Sequence, residues 1–397
     1  MIRRTLMQRN QELVDFEVDA ATGEIRIIDA VADDDLAAST GLIQQNGEWI
    51  LSKLVERRAI SPMRRDRHDV LDAFGAKSAI DLAFMGHGLS LSDQFWYRSP
   101  GSTERWEDIN FFDNGWDPSF GSAVLAGDYA SLASCSPDVP EATTSGHAIK
   151  AWERNGDGTF LIKAAEYPDG AELIGARLAS EMCALLFDKS CYVPTSIVER
   201  CGRPCSLSPH MLAAGEELAD GNRLCALTGM LDSPGLGKGG ITAEACDARV
   251  DVYAALGIAD ASAQVARMAC FSCLSLLMDF NPSNFGAIRK IDSNIWRAAP
   301  IFDYDGAFGF PLTGVPISKM CENPLLFELL CANRFSFLKP SWDWSWYDPR
   351  VLVGFEDRIV EALGPCRSLP SGFAELIARV FVMQREYANK VARGEAS

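Results

Sequence analysis

The four residues Asn155-Gly156-Asp157-Gly158 constrain this chain more than any other short stretch. They lie between two runs of strand-like composition, residues 148–153 and 159–164. Asn and Gly tolerate the positive φ that a tight hairpin demands, so an antiparallel pair is expected here. Helical spacing follows at once over residues 171–187, where Leu173, Ile174, Leu178, Met182 and Leu185 share one face. Further strand-like runs at 196–199 and 204–207 flank Cys201-Gly202-Arg203. From Ala243 onward helices dominate, with predicted segments 243–255, 261–278, 323–332, 350–363 and 371–392. A small β-rich unit followed by a larger helical one is the α+β organisation these patterns predict.

Upstream, residues 1–112 read as a mixed region. Residues 24–29 have strand composition, and 48–58 and 68–74 read as helices separated by Ser61-Pro62. Arg57, Arg58, Arg64, Arg65 and Arg67 form the one basic cluster, and the interleaved Glu56, Asp66 and Asp69 suggest a solvated face. Residues 113–145 shift to Gly, Ser, Asp, Ala and Pro, which predicts a linker and a boundary near residue 140.

Charge and cysteine usage restrict the function classes. The net charge is −17 over 397 residues, which argues against direct binding of nucleic acid. The first ten residues contain no apolar run after their arginines, and the longest apolar run, 265–278, is broken by Arg267. Neither a signal peptide nor a spanning helix is expected, and the twelve cysteines read as reduced, buried thiols of a cytoplasmic protein. The pairs Cys201/Cys205 and Cys270/Cys273 have zinc-like spacing, but the second pair lies in an apolar helical run with no nearby histidine. Ser233-Pro234-Gly235-Leu236-Gly237-Lys238-Gly239-Gly240 imitates a phosphate-binding loop. Asp232 and Gly239 occupy the positions where that motif needs a glycine and a hydroxyl residue.

The chemistry-bearing signal lies further on. Asp279 closes an apolar helical run, Asn284 follows five residues later in Asp279-Phe280-Asn281-Pro282-Ser283-Asn284, and Asp303 ends the apolar run Ala299-Pro300-Ile301-Phe302. Phosphoryl transfer needs a carboxylate that positions the attacking hydroxyl and oxygen ligands that hold Mg²⁺ on the phosphates, and these residues come in protein-kinase order. Lys163, in the strand Phe160-Leu161-Ile162-Lys163, would be costly to bury without an anionic partner. Nucleotide phosphates and a helix glutamate would supply one, Glu172 being nearest and Glu181 the reserve.

The chain resembles the HipA-like serine/threonine kinases, in the single-chain branch that carries its own N-terminal extension. The likeness rests on Thr143-Thr144-Ser145-Gly146-His147-Ala148-Ile149-Lys150-Ala151-Trp152, on Phe160-Leu161-Ile162-Lys163, on Asn284-Phe285-Gly286 and on Ala299-Pro300-Ile301-Phe302-Asp303. Upstream, Leu89-Ser90-Leu91-Ser92-Asp93-Gln94-Phe95-Trp96-Tyr97 and residues 106–114 are similar to the same branch. The chain departs from the family's pattern in reading Asp279-Phe280-Asn281 for Asp-Arg-His, Ala171-Glu172 for Asn-Glu, and Ala164-Ala165 for glycines.

The resemblance implies a bilobal kinase-like fold with an extension (1–140), a β-rich nucleotide lobe (141–210) and a helical lobe (211–397). It makes Asp279 the catalytic acid/base, Asn284 and Asp303 the Mg²⁺ ligands, and Lys163, with Glu172, the holder of the ATP phosphates. The loop Ser145-Gly146-His147 would lie at the nucleotide, and Ser208 and His210 would form the hinge at adenine. A hydroxyl of 143–145 would be a site of autophosphorylation. The implied partners are a protein substrate and a small helix-turn-helix antitoxin. A small-molecule kinase of the aminoglycoside or choline type, and a pseudokinase that only binds a partner, share enough of this logic to remain alternatives.

Overall fold

The computed structural model describes residues 1–19, 22–30, 47–230, 241–277, 282–310 and 316–395. The chain opens with an antiparallel sheet of order β3-β2-β1-β4, built from β1 (Ile2–Gln8), β2 (Gln11–Val18), β3 (Ile25–Ala30) and β4 (Phe95–Arg98). Alternation places Leu6, Val14, Phe16, Val18, Phe95 and Tyr97 on the buried side, against Leu51, Val55 and Phe84. The β1–β2 hairpin escaped the sequence reading because its outward face is charged and its turn is made by Gln8-Arg9-Asn10, with Arg9 at φ 50.

A second antiparallel sheet, β5-β6-β8-β7, contains the predicted hairpin: β5 (Lys150–Asn155) and β6 (Gly158–Ala164) meet around Gly156-Asp157. β7 (Ser196–Arg200) and β8 (Arg203–Pro209) turn through Cys201 and Gly202, both left-handed. The helix Ala171–Leu186 crosses between β6 and β7. The remaining strands, β9 (Glu216–Asp220), β10 (Gly286–Lys290) and β11 (Ile295–Ala298), form a small sheet of order β11-β10-β9 that the helical reading of the C-terminal part did not anticipate.

The helices of that part largely follow their apolar periodicity. The helix Ala261–Ser275 is buried against the helices Ala243–Ala255 and Phe373–Ala392, and its face supplies Val265, Ala269, Phe271 and Leu274 to one large core. The single helix predicted over 350–363 is instead a 3₁₀ turn, Pro349–Leu352, and a helix, Phe355–Leu363, divided at Gly354, whose φ of 83 cannot continue a right-handed helix. Cys270 and Cys273 are buried in this core, with the Cys273 thiol against Gln384 Oε1 at 3.2 Å; Cys201 is exposed in its turn. Among the described residues no helix is long and apolar enough to cross a membrane.

The expected linker is the largest correction. Residues 113–145 contain the helix Pro118–Ala126 and two 3₁₀ turns, Tyr129–Ser134 and Pro140–Thr143. Leu125 of that helix packs with Ala151, Ile162, Ala164 and Cys205 on one face of the β5–β8 sheet. The Gly, Ala and Ser that suggested a flexible segment are small residues that permit close packing: a Cβ on Gly121 would lie 2.9 Å from both Ala151 and Glu141.

The basic cluster is corrected in part: Arg57 and Arg65 are exposed as expected, but two of its arginines are not. Arg58 is buried, paired with Asp93 at 2.5 Å and donating to the carbonyls of Gly88 and Phe95. Arg64 is buried, paired with Asp66 at 2.6 Å, and donates to Glu141 O at 3.0 Å and Lys150 O at 3.4 Å. Arg58 ties parts of the extension to one another, and Arg64 clamps the extension to the β-lobe, because several fixed N–H donors can serve several acceptors at once.

Glu141 completes this clamp. Its Oε1 accepts from the Trp152 N–H at 2.7 Å, while Oε2 is buried without a hydrogen-bond partner. Burial raises its carboxyl to about 7, so the neutral acid is the form that fits. A carboxyl raised in this way contributes stability at acid pH that is lost as pH rises through about 7. Glu141→Gln should remove that loss, so its melting temperature should gain on wild type between about pH 5 and about pH 8. Thermal melts that shift in parallel across this range would exclude the assignment.

Candidate active site

Strand register decides which side chains face the site. Lys150 pairs with Lys163 and Trp152 with Leu161, while Lys163 and Leu161 pair with Ser206 and Ser208. These residues share one face of the sheet. The opposite face carries Ala151, Ile162, Ala164 and Cys205 against the extension, which leaves the lysine face for the segment after β11.

Across that gap Lys163 Nζ donates to Asp303 Oδ1 at 2.6 Å and to Asp305 Oδ2 at 2.8 Å. The ammonium is nearly enclosed, whereas the two carboxylates remain partly open to solvent. Burial alone would lower the Lys163 pKa, but the two aspartates outweigh it and raise it. Burial would likewise raise Asp303, yet Lys163 and Lys150 hold it down at about 2. Asp305 is pushed up by burial and by its neighbour Asp303.

Local structure fixes this geometry. Asp303 has φ 63, a left-handed conformation that Asp adopts more readily than most residues. Tyr304 points the other way, its hydroxyl donating to Val193 O at 2.8 Å and Ile301 O at 2.9 Å. The backbone of Ile301 exchanges hydrogen bonds with Cys191 and Val193. The segment bearing the aspartates is therefore stitched to the chain that leads into β7.

Asn284 ends the 3₁₀ turn Pro282–Asn284, just before β10. Ala287 pairs with Ala298, and the Ala299 N–H donates to Gly286 O at 3.0 Å, so the start of β10 lies beside the chain that leads to Asp303. Asn284 and Asp303 thus emerge from the same end of one hairpin. The turn is held by Tyr253, whose hydroxyl donates to Gly286 O at 2.7 Å, and by the Gly221 N–H donating to Phe285 O at 2.7 Å. Asp279 and the glycine-rich 231–240 stretch lie outside the described residues.

The other expected site residues make contacts of their own. The ion pair between Lys163 and Glu172 is not formed. Glu172, in the first turn of its helix, accepts from the N–H groups of Glu166 and Tyr167, which line up at the positive end of that helix. Glu181 pairs with Arg177 at 3.6 Å and Arg358 at 2.7 Å, away from the lysine. His147 is exposed and its Nδ1 lies 2.9 Å from Glu166 Oε1. Ser208 Oγ shares a hydrogen bond of 2.9 Å with Thr195 Oγ1. His210 Nε2 donates to Leu91 O at 2.8 Å, and burial lowers its pKa, which favours the neutral ring. Its ring lies beside Trp152 and Phe112, and with Pro209, Thr159, Arg154 and Leu212 it lines a cavity of about 260 Å³ against the extension.

Two residues of the cluster were not singled out from sequence. Asp305 stands two positions after Asp303, a spacing that can return a side chain to the same side. Lys150 occupies the β5 position opposite Lys163; its Nζ donates to Ser145 O at 2.6 Å, beneath Gly146. Asp303, Asp305 and the amide oxygen of Asn284 are hard oxygen donors of the kind Mg²⁺ prefers. Among the described residues no group of three or more His, Cys, Asp and Glu gathers.

The class these elements define is a mixed α+β fold, in which a lysine-bearing antiparallel sheet faces acids that follow a strand of the helical part. No family model matches the chain, and no curated protein matches it by sequence. Solved structures are similar to the chain, two of them as follows. One is HipA of Shewanella oneidensis, from a complex of toxin–antitoxin HipA, HipB and operator DNA, with 11% identity, 99% of each chain covered and a TM-score of 0.49. The other is the Helicobacter pylori proinflammatory kinase CtkA, with 13% identity over 64% of this chain and 92% of that one, and a TM-score of 0.44.

The ion-pair geometry has a consequence for stability. Lys163→Met would leave Asp303 and Asp305 facing each other without the intervening ammonium, and like charges raise carboxyl pKa values. The variant should melt below wild type at neutral pH and recover as pH falls through the carboxylate range, where protonation relieves the repulsion. A deficit that stays constant from neutral to acid pH would show that the three groups are not coupled.

Proposed function

We propose that the chain is a HipA-like serine/threonine protein kinase that transfers the γ-phosphoryl group of ATP to a protein hydroxyl. The observation that carries this reading is Lys163 facing Asp303 and Asp305 across the two lobes, 2.6 and 2.8 Å away. In the proposed reaction Lys163 aligns the phosphates, the hinge side of the site around Pro209 and His210 receives adenine, and Asp279 orients the substrate hydroxyl and accepts its proton. Asp303 and Asn284, with Asp305 beside them, would hold Mg²⁺, which supplies charge neutralisation at the phosphoryl oxygens. The sequence resemblance extends the proposal to a cytoplasmic protein with a small helix-turn-helix antitoxin as partner.

Purified protein with labelled ATP, assayed alone and with cell lysate, tests the activity. Asp279→Asn should reduce transfer by orders of magnitude. Asp303→Ala should abolish Mg²⁺-dependent nucleotide binding in a protein that still melts cooperatively; unchanged Mg·ATP affinity in calorimetry would remove Asp303 from the metal site.

Autophosphorylation is proposed at Ser145. Thr143 is buried and donates to Leu89 O at 2.6 Å, and Thr144 donates to Pro140 O at 2.7 Å, whereas Ser145 is exposed. A phosphate there would add roughly −1.5 to −2 charges beside the nucleotide's own, so the modified form should bind ATP more weakly. Intact-mass analysis and peptide mapping after incubation with Mg·ATP should find the modification on Ser145. An unmodified 143–145 peptide from protein that phosphorylates other substrates would end this part of the proposal.

A further inference from the structure

Exposed apolar residues are ordinary when scattered over a surface and informative when they gather. Among the described residues twelve large hydrophobic residues are exposed, and four of them stand on one helix, Pro324–Arg334. They are Leu325, Leu326, Leu329 and Leu330, with exposures from 39% at Leu330 to 78% at Leu325. The spacing i, i+1, i+4, i+5 puts them on a single face. The opposite face already packs into the core through Phe327 and Cys331. A helix apolar on both sides has the composition of a buried helix, and among the described residues only one side is covered.

The order of residues decides what fits the other side. In Leu325-Leu326-Phe327-Glu328-Leu329-Leu330 the leucines are symmetric about the bond between 327 and 328. Two such faces, related by a two-fold axis through that midpoint, run antiparallel and set Leu325 opposite Leu330, and Leu326 opposite Leu329, of the second copy. A two-fold contact requires this self-complementarity, residue i meeting j while j meets i. The end charges agree with it. Glu322, exposed and paired with Lys319 at 2.6 Å, precedes the helix, and the exposed Arg334 closes it. Antiparallel pairing brings Arg334 to Glu322 of the second copy twice per dimer, whereas parallel pairing would set like charges together.

We infer that the leucine face of Pro324–Arg334 is a homodimer interface, at which two copies of this chain pair the helix antiparallel about a two-fold axis. Together the four residues expose little more than the surface of two whole leucines. That is well below the roughly 800 Å² per partner of a standard interface, so the dimer is weak and forms only at high concentration.

Sedimentation velocity of the full chain tests this. Between about 1 and about 300 µM it should show a monomer–dimer equilibrium with a Kd on the order of 10 to 100 µM. Leu329→Glu would bury an unpaired charge in each copy and should weaken association at least about 10-fold. Leu325→Glu serves in its place if that protein does not melt cooperatively. Glu322→Arg and Arg334→Glu should each weaken association several-fold, and the double variant should regain most of the loss, because opposite charges meet again. Wild type that stays monomeric throughout would overturn the inference and leave the face to another segment of this chain or to a different protein. A dimer indifferent to Leu329→Glu, or charge variants whose losses simply add, would put the contact elsewhere or in another register and overturn it equally.

Discussion

The contact between Lys163 and the pair Asp303 and Asp305 joins residues 140 and 142 positions apart in the chain, and the arrangement of the site depends on it. A nearly enclosed ammonium is tolerable only where anionic partners offset its lost hydration. Both sides of the contact must therefore be held rigidly. β6 is held between β5 and β8, and the aspartate segment is stitched to residues 191–193, with Tyr304 anchored on the far side. The left-handed backbone at Asp303 is a local cost that the surrounding hydrogen bonds offset, as is common where a side chain must be aimed.

The N-terminal extension takes part in the same arrangement. Arg64 reaches from it to the carbonyls of Glu141 and Lys150, so the β5 strand that carries Lys150 is positioned by a guanidinium some 86 residues upstream. Gln8 of β1 donates to Glu217 at 3.2 Å, and the same carboxylate pairs with Arg223 at 2.6 Å and Arg289 at 2.8 Å. A fully buried glutamate shared by two arginines is satisfied only if all its partners are in place, which ties the extension to the sheet of the helical lobe. The sheet β5–β8 has Leu125 of the extension on one face and the candidate site on the other.

Much of this was legible because it is local. The Asn155–Gly158 turn and the helical spacing of 171–187 depend on neighbouring residues alone, and both elements formed close to their expected bounds. The ordered residues Lys163, Asn284 and Asp303 were also visible in the sequence, as was the resemblance to HipA-like kinases that gave them meaning. Where the reading failed, the deciding contact was distant. Small residues at 113–145 signal a linker unless a sheet lies close enough to need them, and arginines among acids look solvated unless carbonyls from elsewhere converge on them.

What the sequence determined by itself, then, is the β5–β6 hairpin, the helices with clear apolar periodicity and the identity of the charged groups Lys163 and Asp303 that meet at the candidate site. Tertiary structure alone decided their partners. Glu172, nine residues from Lys163, is turned to the backbone at 166 and 167, while Asp303 and Asp305 take the lysine. Helix direction aims Glu172 at its own N-terminal loop, and strand register aims Lys163 the other way, toward a segment whose position is set by hydrogen bonds to residues 191–193. Register likewise put Lys150 beside Lys163, a proximity that depends on how two strands pair and that no spacing along one strand records.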